Sequence, residues 1–124
     1  MRLLLDTHVF LWCAANDPQL GPVAREAIES PDSFVAISAA VAWELEIKRA
    51  LKKLEAPSDL REQLELYRFD ELPITIEHAI RAGELPAHHG DPFDRMLIAQ
   101  AISEDIPFLT KDETIHRYPA RCIW

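Results

Sequence analysis

The sequence predicts an α/β fold: a single-domain α/β/α sandwich with a central parallel sheet, spanning residues 1–124. Three observations predict it. Short apolar runs (Leu3–Leu5, Phe34–Ile37, Pro107–Thr110) alternate with longer segments of helical period. The first of them stops at Asp6 and passes without a gap into a second apolar segment, as a strand does when it feeds a helix. No repeat, low-complexity tract or long linker divides the chain, whose 124 residues make one ordinary domain.

The elements follow in order. Leu3–Leu5 is too short for a helix and apolar throughout, which suits a strand buried on both faces. Asp6 stands at an N-cap position, and helix one runs from Thr7 to Ala15, stopped by Asn16-Asp17-Pro18. Gly21-Pro22 opens helix two, which places Val23, Ala24, Ala27 and Ile28 on one face and ends at Ser30-Pro31-Asp32. Phe34–Ile37 is the second strand. Ser38 caps a long helix predicted from Ala39 to about Leu54, with Lys48, Arg49, Lys52 and Lys53 gathered at its negative end. Pro57-Ser58 opens a helix over Asp59–Arg68. Glu71–Ile74 is predicted as a short strand, and a helix from Thr75 or Ile76 to about Ala82 is closed by Gly83. Glu84–Gly90 reads as a loop, and Asp91-Pro92 starts a strongly apolar helix, Phe93 to about Glu104. Pro107–Thr110 is the fourth strand, Lys111-Asp112 opens a helical turn to His116, and Arg121–Trp124 is the last strand.

The bulk numbers exclude some functions. At 48% apolar residues the chain has enough hydrophobicity to be ordered. A formal charge of −8 argues against a surface that binds nucleic acid everywhere. A local site survives that objection if a cation offsets clustered acids. Cys13 and Cys122 form neither a disulfide framework nor a metal spacing, so they are expected to be reduced, buried thiols of a cytoplasmic protein. Asp6 and His8 interrupt what would be the core of a signal peptide, and no run approaches the roughly 20 apolar residues of a membrane span.

The chemistry is expected at the element boundaries, because ligands of open α/β sheets bind outside the carboxyl ends of the strands. Asp6 follows strand one, Asp112 follows strand four, Glu44 lies in the helix after strand two, and Asp94 lies in the first turn of the helix before strand four. If the sheet brings these together, like charges raise one another's pKa, and a divalent cation relieves the repulsion. All-oxygen ligands suit Mg²⁺ or Mn²⁺. Taken singly, the same residues read as a cap (Asp6), an ion-pair partner of Lys48 (Glu44), a first-turn acid (Asp94) and a cap (Asp112).

Four segments carry a resemblance. Asp6-Thr7-His8-Val9-Phe10-Leu11-Trp12 resembles the opening of PIN-domain proteins of the VapC toxin type. The segments Ser38–Lys48, His89–Ala101 and Leu109–Asp112 resemble the second, third and fourth motifs of that family, in family order and across nearly the whole chain. One departure is Leu51-Lys52-Lys53-Leu54, where close relatives often carry a glycine before the lysine. The resemblance implies an Mg²⁺- or Mn²⁺-dependent endoribonuclease, the toxin of a type II toxin–antitoxin pair, with Asp6, Glu44 and Asp94 as core acids and Asp112 completing the site. It also implies an RNA substrate such as tRNA or rRNA, a cognate antitoxin and a homodimer. Any DNA reading would belong to the antitoxin, since no helix of this chain looks built for it. Two other readings stay open: a non-catalytic interaction module on the same fold, and a receiver-like Mg²⁺-binding phosphoacceptor domain, for which no second acid adjoins Asp6.

The remaining residues are assigned as follows. Asp91 is expected to cap the helix that carries Asp94. Thr7 and Thr110 stand where they can hydrogen-bond the acids or cap helices. Lys48 is expected to pair with Glu44, and Arg95 with Asp91, four residues away in each case, with phosphate contact as the alternative. His8 is expected near the site in a supporting or surface role. His88 and His89 lack spaced partners for zinc and read as a solvated loop. Trp12 and Trp43 are expected to be mostly core, with one edge open to a partner.

Overall fold

The computed structural model describes residues 1–52 and 59–124. The order is β1 (Arg2–Leu5), α1 (Thr7–Ala15), α2 (Pro22–Glu29), β2 (Phe34–Ser38), α3 (Ala39–Ala50), α4 (Leu60–Tyr67), β3 (Asp70–Leu72), α5 (Ile76–Glu84), α6 (Pro92–Ser103), β4 (Phe108–Leu109), a 3₁₀ turn (Ile115–Arg117) and β5 (Cys122–Ile123). The strands form one sheet in the order β3-β2-β1-β4-β5. Every pairing is parallel, with Leu3 opposite Val35 and Leu5 opposite Leu109. Helices cover both faces, and the α/β/α sandwich predicted from the sequence is what forms.

The leucine run explains the centre. Leu3, Leu4 and Leu5 have no exposed surface, so β1 is buried on both faces between β2 and β4. Phe10, Phe108, Ile37, Leu45, Leu97 and Ile98 fill the layers around it. The chain builds outward from β1 to β3 on one side, then returns to place β4 and β5 on the other. The strand order therefore reverses at β1, and the crevice beside its carboxyl end is where such a sheet binds ligands.

Several element ends differ from expectation. The third strand is Asp70–Leu72, because Pro73 cannot donate to the ladder and ends it. Helix α5 runs through Gly83, which keeps an ordinary negative φ, and stops at Leu85 before Pro86. Helix α3 ends at Ala50 with Leu51 as its C-cap; Lys53, Leu54 and the Pro57-Ser58 opening lie outside the described residues. Asp59 caps α4 through the amides of Arg61 and Glu62. Cys13 and Cys122 are free thiols, half-buried where full burial was expected. No helix among the described residues is long and apolar enough to cross a membrane.

Candidate metal centre

Asp6 occupies the N-cap position of α1, but its side chain does not cap the helix. It points instead into the reversal crevice. Oδ2 accepts a 2.7 Å hydrogen bond from Thr110 Oγ1, at the end of β4, and the backbone of the two strands locks the pair together through the Asp6 amide and Leu109 carbonyl. Oδ1 is buried and makes no hydrogen bond among the described residues. Asp6 is only 4% exposed. Burial drives its pKa above the ordinary value and Asp112 adds to the rise; the Thr110 bond and His8 act against it.

Glu44 is equally buried, one and a half turns into α3. Its Oε1 accepts from Thr7 Oγ1 at 2.7 Å, and its Oε2 pairs with Lys48 Nζ at 2.7 Å. That hydrogen bond raises the Lys48 pKa. Both threonines thus bond acids, and Lys48 pairs as its spacing predicted.

Asp91 caps α6, with Oδ1 accepting from the amides of Phe93 and Asp94 at 2.8 and 3.1 Å. The cap frees Asp94, one turn along, to face the crevice. Asp94 is pushed up to about 7, chiefly by burial and then by the charges of Asp6, Asp91 and Glu44, against the influence of His89. The charges of Asp6 and Glu44 act on Asp94, and that of Asp112 acts on Asp6, so the four acids are linked electrostatically. Asp112 sits after β4 and accepts from the Thr114 amide at 2.8 Å, capping the turn from the wall of the same cavity. Burial pushes its carboxyl up, but the His89 hydrogen bond and the Thr114 and Ile115 amides outweigh it and hold it below the usual value.

One of the two loop histidines corrects the sequence reading, while His88 is exposed as expected. His89 is not a solvated residue: its Nε2 lies 3.1 Å from Asp94 Oδ2 and 3.1 Å from Asp112 Oδ2. Its Nδ1 accepts the Asp91 amide at 3.1 Å, which assigns the hydrogen to Nε2 and makes His89 a donor to Asp112, with the Asp94 oxygen equally near. The ligand-type atoms of His89, Asp94 and Asp112 all fall within 4.8 Å of one another. A usable signal was present in the sequence, since a residue two positions before a helix cap lies beside that helix's first turn. Arg95 also departs from expectation. Its guanidinium donates to the carbonyls of Ala82, Leu85, Pro86 and His89 at 2.8–3.2 Å, not to Asp91. Tyr118 holds the same loop, its hydroxyl donating to the Pro86 carbonyl and accepting from the His89 amide. His8 is exposed at the rim. Trp43 is 62% exposed where a core position was expected, with its ring edge against Phe93.

The donor set fits a divalent cation. Three carboxylates and a fourth nearby, one with a buried oxygen lacking a donor and one that holds its proton to about pH 7, form a site of hard oxygens with excess negative charge. Asp6, Asp94 and Asp112 line a cavity of about 420 Å³ with His8, Val9, Trp12 and Lys111. A larger cavity of about 570 Å³ between α3 and α4 is lined by none of the four acids.

The sequence matches the PIN domain family over residues 3–121. It is 33% identical over 123 residues to Ribonuclease VapC22 of Mycobacterium tuberculosis, covering 94% of this chain and 93% of that protein. Among solved structures it resembles VapBC2 from Rickettsia felis bound to a promoter DNA fragment, with a TM-score of 0.73 at 18% identity over 99% of this chain and 98% of that one. It also resembles a toxin–antitoxin complex from Klebsiella pneumoniae, with a TM-score of 0.70 at 17% identity over 98% and 96% of the two chains. The order of strands, the acid edge at the β1 reversal and the match across nearly the full length agree: the chain belongs to the PIN-domain family, as a VapC-type member.

Proposed function

We propose that the chain is an Mg²⁺- or Mn²⁺-dependent endoribonuclease, the toxin of a toxin–antitoxin pair. The observation that carries this reading is the Asp6 carboxylate, buried at the sheet's reversal point with one oxygen lacking a donor and with Asp94 and Asp112 beside it. A carboxylate so placed is costly unless a cation answers it. Asp6, Asp94 and Asp112 would hold the ion directly, with Glu44 as the fourth acid. When bound, the ion supplies Lewis-acid polarisation of a phosphodiester and makes water a better nucleophile at neutral pH.

The chain's own groups set the geometry. Thr110 and Thr7 fix the Asp6 and Glu44 carboxylates in single orientations. Lys48 pairs with the Glu44 carboxylate at 2.7 Å and fixes its second oxygen. His89 Nε2 donates to Asp112 and lies 3.1 Å from Asp94, so it sits between the two acids and links their positions. Asp94 must release its proton, held to about 7, to present a full negative charge to a cation. The water-borne proton of hydrolysis can leave through these carboxylates to the open mouth of the cavity.

Partner assignments belong to the same reading. A cognate antitoxin would carry basic residues to this acidic edge and any DNA-reading helix of the complex. A homodimer suits the exposed α3 stripe of Trp43, Ile47 and Leu51, spaced four residues apart, and Ile76 and Ile80 on α5. The substrate would be a cytoplasmic RNA of the tRNA or rRNA class. The test is cleavage of RNA by purified protein with Mg²⁺, Mn²⁺ or EDTA, beside Asp6→Asn. Cleavage only with the ion, and lost in the variant, is expected; cleavage in EDTA, or full activity in Asp6→Asn, overturns the reading. Growth arrest on expression, relieved by the neighbouring small open reading frame, tests the toxin role.

A further inference from the structure

The acids line only part of their cavity. The rest of the wall is His8, Val9, Trp12 and Lys111, none of which the metal chemistry uses. Trp12 is half-exposed. Its ring is braced by Trp124, with centroids 5.8 Å apart, and flanked by His8 at 6.0 Å. Lys111 is exposed and its Nζ lies over the Trp12 ring, 6.0 Å from the centroid, on a long side chain that can swing off that face to meet a phosphate. It makes no ion pair among the described residues, in contrast to the other cations near the acids: Lys48 is bound to Glu44 and Arg95 to backbone carbonyls.

We infer that Trp12 and Lys111 form a nucleotide subsite beside the acids, where an unpaired base stacks on the Trp12 ring and Lys111 meets a neighbouring phosphate; this rests on the nuclease reading. Charge explains why stacking is needed. A chain with a net charge of −8 attracts RNA poorly as a whole, so affinity must come from contacts that do not depend on the overall field. A braced indole is such a contact, since every base has a π face. The cavity, at about 420 Å³, lies within the usual range of roughly 300–1,000 Å³ for small-ligand sites. A paired base has both faces covered by its neighbours and cannot stack on Trp12. The subsite therefore selects single-stranded loops, where bases can splay out. It also sets which phosphate reaches the acids: the one adjoining the stacked base.

Binding is measured in EDTA, with full-length protein and labelled random-sequence single-stranded RNA of about ten nucleotides, against a duplex of equal length. The wild type is expected to prefer the single strand and to show quenched tryptophan emission. Trp12→Leu should weaken single-strand binding about 10- to 100-fold and remove the quenching. Trp12→Phe, which keeps a ring, should stay close to the wild type, and it answers the question if the leucine variant does not fold. Lys111→Gln should weaken binding less and flatten its salt dependence by about one phosphate contact. Equal affinity for duplex and single strand overturns the subsite, as does unchanged binding in Trp12→Leu. Loss of affinity for a basic peptide partner with RNA binding intact would assign the ring to a protein interface and overturns it too. Hydrolysis of the baseless diester bis(4-nitrophenyl) phosphate by wild-type protein with Mn²⁺ tests the nuclease reading separately.

Discussion

Asp6 and Glu44 are matched in burial and in the threonine that holds each of them. Each is 4% exposed, and each accepts one threonine hydroxyl at 2.7 Å at the same edge of the sheet. They differ at the second oxygen, which bonds Lys48 in Glu44 and makes no hydrogen bond in Asp6. The Glu44 side of the site is electrically closed before any ligand arrives. The Asp6–Asp94 side is open, and its unanswered charge appears as carboxyl groups that resist ionisation. One edge of the sheet thus contains an acid that is already paired and an acid that is not, told apart by a single ammonium group.

The largest expected effect probes the open side. Asp6→Asn should lower metal-dependent RNA cleavage by at least about 100-fold, as loss of a metal-binding group does. The same change should raise thermal stability in EDTA, by about 1 kcal/mol, because it removes a buried charge without a partner. Glu44→Gln should do the opposite to stability. It leaves Lys48 without its carboxylate and should cost about 1 kcal/mol, limited because Lys48 is 38% exposed and can rehydrate. Melting curves of the two variants in EDTA decide the matter, and a shift in the same direction for both would break the comparison.

A pH experiment sharpens it. Asp94 is at about 7 in the folded chain, against roughly 3.9 for an unfolded aspartate. The folded state therefore binds this proton more tightly. The stability it contributes is fully present below about pH 4 and is lost as pH rises through 7. Melting temperature in EDTA should fall across that window and flatten in Asp94→Asn. Added Mg²⁺ should restore stability only where Asp94 can ionise, so the gain should grow from pH 6 to pH 8. The smallest effect concerns His89. His89→Ala should weaken Mn²⁺ binding, measured calorimetrically, by up to about 10-fold, and His89→Gln should recover most of it, because its amide can donate from the position of Nε2.

Much of this was legible in the residue order. The leucine run gave a central strand because nothing but a buried position tolerates three leucines in a row there, and each acid was placed by the element boundary it adjoins. Asp91 and Lys48 took the partners that local spacing predicts. The misreadings of His89 and Arg95 share a cause: each takes partners other than those at helical spacing. Asp6 forsakes the nearby cap for Thr110, a residue 104 positions away. His89 is drawn out of solvent by Asp112 from beyond β4. Trp43 was judged by its size, whereas its exposure depends on what the α3 surface faces.

Arg95 ties the last turn of α5, the His89 loop and α6 together through four carbonyls. The loop should therefore not open on its own. Amides from residue 82 to residue 90 should exchange their hydrogens in step with α6, as one cooperative unit, although most of the loop lies at the surface. A lysine at position 95 has no planar fork to span several carbonyls. The change that looks mildest on paper would uncouple the loop from the helix, and the acid site would lose its fixed wall without losing any of its acids.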